Sequence, residues 1–184
     1  MALTPAVRRW LAFLLAVLVF AVVHEGAHIL MGVAHGEFEA LHVRPFGLEV
    51  TFRTMAAARS GLRWALISGV SNVLTVLLGY GLLWAASRLA AVGNAWLRGV
   101  AFYLTTLSLL VDPLNLSIGP FIYGGDANGI AVGVGVSRHI IQGVALGVLL
   151  VNRELVARHV LPRYGVVVQS PLLEPWLDGR PLAR

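Results

Sequence analysis

From Trp10 to Ala34 the chain is an apolar and glycine run, interrupted only by the cluster His24-Glu25-Gly26-Ala27-His28. A run of that length predicts a membrane-spanning helix, with Arg8, Arg9 and Trp10 at its leading interface. His35–Arg63 is the most polar part of the chain. Inside it, Ala40–Thr54 (ALHVRPFGLEVTFRT) roughly alternates apolar and polar residues, is rich in β-branched side chains and breaks at Pro45-Phe46-Gly47, which predicts a small hairpin. Ala65–Ser87 is a second span, without a charge. It carries Ser68-Gly69-Val70-Ser71-Asn72, where small residues allow close helix approach and the asparagine needs a partner in lipid. Arg88–Arg98 reads as a short connector. Gly99–Val136 is too long for one simple span and is broken at Asp112-Pro113, Gly119-Pro120 and Gly124-Gly125. That pattern predicts a helix, an irregular segment at membrane depth and a second short helix. His139–Asn152 opens a last helix that continues towards His159, and the tail from Pro162 reads as interfacial or loosely ordered.

The expected fold is therefore an all-α membrane protein of about four transmembrane helices, one of them interrupted, with a small membrane-associated β hairpin. Residues 1–161 form the helical domain, with the strand-like insert at about 40–54, and residues 162–184 the tail. Composition agrees. The chain is 58% apolar and 12% charged, with a mean hydropathy of +0.79, the balance of a bundle solvated by lipid. All 14 basic residues are arginines scattered singly between apolar spans. They read as membrane flanks and not as a phosphate-binding patch, so no nucleic-acid partner is expected. The N-terminus imitates a signal peptide, with Arg8 and Arg9 ahead of Trp10–Val23, but the apolar character runs on to Val33 and includes the His24–His28 cluster.

That cluster carries the chemistry. Residues four apart on a helix lie on one face, so His24 and His28 can present both imidazoles to one metal ion. Glu25 stands beside them, where a carboxylate can take a proton from water activated by the metal. Ionisable groups inside a span are costly and mark function; packed merely as a polar cluster, they would be left in lipid without purpose. With no cysteine in the chain, further ligands must be His, Asp or Glu. A catalytic zinc takes three protein ligands, and the chain has only three aspartates, Asp112, Asp126 and Asp178. Asp178 lies in the tail, and Asp112 precedes a proline, where it could cap a turn. Asp126 follows two glycines that permit close backbone approach, and is the choice for third ligand. Glu37 and His35 are the alternatives, both close in sequence to the first helix. His139 and His159 have nothing to pair them with the motif and read as structural or interfacial.

These residues resemble the site-2-type intramembrane metalloproteases. The similarity rests on the His24–His28 motif, on Ser68–Asn72 and on Asn115–Asp126, and runs from about Trp10 to His159. In that family the first motif gives two zinc-binding histidines and a glutamate base, the second commonly reads Gly-Pro-x-x-Asn, and the third ends in the aspartate ligand. Val70 stands where the family usually has proline, and Gly124-Gly125-Asp126-Ala127 replaces Leu-Asp-Gly. The resemblance implies a Zn2+-dependent endopeptidase that cleaves a membrane-embedded protein substrate, with His24, His28 and Asp126 on the metal, Glu25 as base, and Asn72 and Asn115 positioning the substrate. Ala40–Thr54 looks like the family's membrane-associated strands and is expected to hold the substrate extended. The resemblance further implies a multi-pass protein of the cell membrane with the motif end of the first helix nearer the cytoplasm. Arg44, Arg53, Arg59 and Arg63 agree with that orientation, while Arg8, Arg9, Arg88, Arg98, Arg153, Arg158 and Arg163 run against the positive-inside trend. The alternative, from another class, is a non-proteolytic metal-binding membrane protein or transporter of the same fold.

Overall fold

The computed structural model describes residues 4–44, 47–122 and 125–176. Four of its helical segments are long and apolar enough to cross a membrane: Pro5–Ala34, Leu62–Trp84, Ala95–Phe121 and Arg138–Arg163. The helix α1 (Pro5–Ala34) starts ahead of the apolar run because Thr4 caps it, its side chain accepting from the Val7 amide at 3.3 Å, and Pro5 suits the first turn. At 1.5 Å per residue α1 is about 45 Å long, more than a hydrocarbon core of roughly 30 Å. Strands β1 (Phe38–Arg44) and β2 (Gly47–Phe52) pair antiparallel, with an irregularity between Phe38 and Ala40. This is the expected hairpin; Pro45 and Phe46 of its break lie outside the described residues.

The hairpin folds back along α1. At its base Phe52 and Phe38 press on Gly32, where an added Cβ would come within 3.0 Å of the Phe52 ring. Towards its tip, Gly47 and Leu48 share a groove with Phe20, Ala21 and Glu25. Glu37 clasps the base, accepting the Thr54 amide at 3.2 Å and pairing with Arg63 at 3.0 Å. The hairpin is thereby tied to α2 (Leu62–Trp84), on which Arg63 sits.

Residues 88–98 are not a plain connector, since α3 (Ala86–Ala90) occupies their start and Asn94 caps α4 (Ala95–Ser117). Asp112-Pro113, expected as a break, lies inside α4. Proline removes the N–H that would bond the carbonyl four residues back, and in lipid that carbonyl needs another donor. Asn152 of α6 (Arg138–Leu155) provides it, donating to Leu109 O at 2.8 Å while its own Oδ1 accepts from Tyr80 at 2.7 Å. The break comes later. Gln142 donates to Ser117 O at 3.0 Å, and a tight turn, Gly119–Phe121, follows. After it α5 (Gly125–Val134) begins, Gly125 taking a φ of +56° that suits glycine. Gly124 lies outside the described residues. α5 packs on α2 through glycines, with Gly133 against the Ala65 backbone and Gly129 against Ser68.

α6 continues through a π-helical turn, Val156–Val160, into α7 (Leu161–Arg163). Beyond Pro162 the tail is not loose as far as Trp176. Tyr164, Val168 and Leu173 pack on the cluster of Leu109, Val156, Val160 and Leu161. Buried Arg153 donates to Leu172 O at 2.8 Å and lies 3.9 Å from the Trp176 ring centroid.

Candidate metal centre

Helical pitch puts His24 and His28 one turn apart, and both are buried. Each ring is held through Nδ1. His28 Nδ1 lies 2.7 Å from Ile67 O, and a carbonyl can only accept, so that nitrogen carries the proton. His24 Nδ1 lies 3.1 Å from the carboxylate of Asp112, which accepts likewise. In the neutral rings both Nε2 atoms are then lone pairs. Both face the same oxygen: Asp126 Oδ2 is 3.5 Å from His24 Nε2 and 3.3 Å from His28 Nε2.

Two lone pairs turned on a carboxylate have no proton between them to share, and a cation resolves that arrangement. Ligand atoms at about 2.0–2.1 Å from a tetrahedral zinc lie roughly 3.3–3.4 Å from one another, close to the two separations found. Among the described residues, His24, His28 and Asp126 form one group whose ligand atoms all lie within 4.8 Å of one another. The residues present therefore fit a metal ion with a two-nitrogen, one-oxygen donor set. The expectation that Asp126, from the far side of the interrupted span, meets the two histidines agrees with this geometry.

Neighbouring side chains hold the three candidate ligands in place, as a metal site requires. Asn72 Nδ2 donates to Asp126 Oδ2 at 3.0 Å and to Ser68 O at 3.0 Å. Asn72 thus lies against the Asp126 carboxylate and is not among the residues lining the groove beside Glu25. Ser71 Oγ is 3.0 Å from His28 Nε2. Glu25 is half-buried and outside the three-residue ligand group. It lines a groove of about 570 Å3 together with His24, Asn115, Gly119, Gly47 and Leu48. Asn115 thereby shares Glu25's groove.

No family model, curated protein or solved structure matches the chain.

Asp112 is the residue that sequence reasoning missed. It is 1% exposed, accepts a hydrogen bond from His24 Nδ1 and also accepts from Thr75 Oγ1. Its place before Pro113 suggested a turn cap, but it stands inside a helix whose lost hydrogen bond Asn152 replaces. An aspartate in an otherwise apolar span was the available signal. The alternatives for third ligand fall away: Glu37 is engaged by Arg63 and Thr54, and His35 is the exposed C-cap of α1. Asp178 lies outside the described residues.

Proposed function

We propose that this chain is an intramembrane zinc-dependent endopeptidase of the site-2 type, hydrolysing a peptide bond in a membrane-embedded protein substrate. One observation carries the reading: two imidazoles, each with its outer nitrogen committed to an acceptor, and a carboxylate from a separate helix converge within a bilayer-length bundle. Zinc held by His24 Nε2, His28 Nε2 and the Asp126 carboxylate would supply a Lewis acid that polarises a carbonyl and acidifies water.

The chain's own residues do the rest. Ile67 and Asp112 fix the imidazole tautomers, and Asn72 holds the Asp126 carboxylate in register. Glu25, in the groove beside His24, takes the proton of the attacking water and delivers it to the leaving amine. A transmembrane helix hides its peptide bonds in its own hydrogen bonds and must be unwound before attack. Each strand of a two-stranded sheet keeps one open edge, and an open edge at membrane depth favours a partner strand. Gly47 and Leu48 bring β2 to Glu25's groove, so pairing along β2 would keep a substrate extended at the centre, with Asn115 close by. By the resemblance in sequence, the membrane is a cell membrane and the hairpin side its cytoplasmic face.

The test is Glu25→Gln, reconstituted in proteoliposomes with single-span substrate proteins. Zinc content equal to that of the parent with cleavage abolished is expected. Cleavage at the parent's rate would overturn the assignment.

A further inference from the structure

Arg59, just past the turn Ala56–Ala58, has no part in the chemistry above, yet it is built into the site. Its guanidinium carbon lies 4.5 Å from the Trp64 ring centroid and 5.3 Å from that of Phe52. Trp64 is fully buried and meets Phe52 edge-on at 5.7 Å. Phe52 in turn meets the ligand His28 edge-on at 6.3 Å. An aromatic ladder therefore runs from the guanidinium to the metal centre.

The hydrogen-bonding ledger of Arg59 is half empty. Nε donates to Thr54 O at 3.1 Å. Glu37, the acid at this end of the hairpin, is taken by Arg63 at 3.0 Å and by the Thr54 amide. Among the described residues, Nη1 and Nη2 of Arg59 make no hydrogen bond or ion pair. Burial lowers the Arg59 pKa from its ordinary value, and the charges of Glu37 and Asp126 oppose that, so Arg59 lies within electrostatic reach of the ligand carboxylate. A half-buried guanidinium, clamped on two aromatic faces with its outer fork open, is pre-organised for a carboxylate, the planar anion its geometry matches. β2 sets the register. Leu48 lines Glu25's groove and Phe52 meets Arg59, a separation of about 13 Å along an extended strand.

We propose that Arg59 is a specificity residue: it receives a carboxylate of the peptide substrate, as an acidic side chain or a chain terminus, where an extended substrate leaves the groove at the Phe52 end. The proposal rests on the protease reading of the site. It puts the preferred acid about four residues from the scissile bond.

The experiment separates the two by reading binding without cleavage. The full chain carrying Glu25→Gln, loaded with zinc in phosphatidylcholine nanodiscs, is titrated with dye-labelled, otherwise uncharged peptides in which one Asp is moved along the sequence. Each is compared with its Asn counterpart, and amidated with free C-termini. Asp, or the free terminus, should bind about tenfold tighter than its neutral match at one position, the size of one charge-assisted hydrogen bond. Adding Arg59→Met, which keeps the apolar stem over Trp64, should bring that ratio to about one; Arg59→Lys should keep part of it, and Arg59→Glu should turn the preference to a lysine peptide. Zinc content of each variant controls for folding. A ratio that survives Arg59→Met, or an equal weakening of Asp and Asn peptides, would overturn the proposal. So would an Arg59 effect seen only when anionic lipid is added, which would assign the fork to headgroups. If peptides bind with this preference but are not cut when Glu25 is restored, the protease reading fails and the carboxylate receptor stands.

Discussion

Asp112→Asn isolates the contribution of the buried carboxylate behind His24. The amide keeps the shape of the side chain but removes its charge and can present an N–H where His24 Nδ1 needs an acceptor. His24 is then free to carry its proton on Nε2, the atom that faces Asp126. Partners that hold a metal ligand in this way typically change affinity about 10–100-fold, or roughly 1.4–2.7 kcal/mol. Zinc affinity is measured by competition with a chelator, protein in nanodiscs, and independently by thermal unfolding with and without zinc. At a free zinc concentration about 100 times the parent's Kd, binding stabilises the parent by about 2.7 kcal/mol, while a site weakened 10–100-fold gains only about 0.4–1.4 kcal/mol. Thr75→Val, which removes the other donor to Asp112, should lower affinity less. Zinc bound by Asp112→Asn within twofold of the parent would refute the reasoning, whatever the change in the metal-free melting temperature.

Other consequences can be checked separately. Asn152→Ala should cost about 1–3 kcal/mol by leaving the Leu109 carbonyl without a donor, and the loss should shrink in a Pro113→Ala background, where a backbone N–H again takes that carbonyl; a thermal double-mutant cycle reads the coupling. Gly133→Ala drives a methyl against the Ala65 backbone, so α5 must shift from α2; about 1–3 kcal/mol of strain and weaker zinc binding are expected, read by melting and by chelator competition. Hydrogen bonds from Thr54 hold the Glu37 carboxyl below the ordinary glutamate value, with Arg63 and Arg59 adding to them and burial opposing. Because the folded value lies below the unfolded one, the clasp contributes in full above the ordinary glutamate pKa and is lost as pH falls through the lower folded value. Amide exchange across residues 38–52 should accelerate only in that acid range, whereas Glu37→Gln should accelerate it at neutral pH as well.

Much of this site is legible in the sequence because its signals are local. Ala34 ends α1 where the apolar run ends, and alternation marks the hairpin. What escapes depends on partners far along the chain. Pro113 reads as a helix breaker because nothing nearby announces that Asn152, on a later helix, replaces the missing donor. Asp112 then inherits a capping role that it does not have. Asn72 carries no mark telling which residue it meets; its 3.0 Å bond to Asp126 shows only in the fold. The tail is rich in proline and arginine, but Arg153 docks it through the backbone carbonyls of Pro171, Leu172 and Glu174, which no side-chain pattern encodes.

Anomalous scattering at the zinc edge, from crystals of the zinc-saturated protein, bears most directly on the centre. One peak is expected about 2.0–2.2 Å from His24 Nε2, His28 Nε2 and an Asp126 oxygen, and absent from Asp126→Ala prepared in the same way. A saturated protein with no peak there, or a peak that persists undiminished in Asp126→Ala, would contradict it.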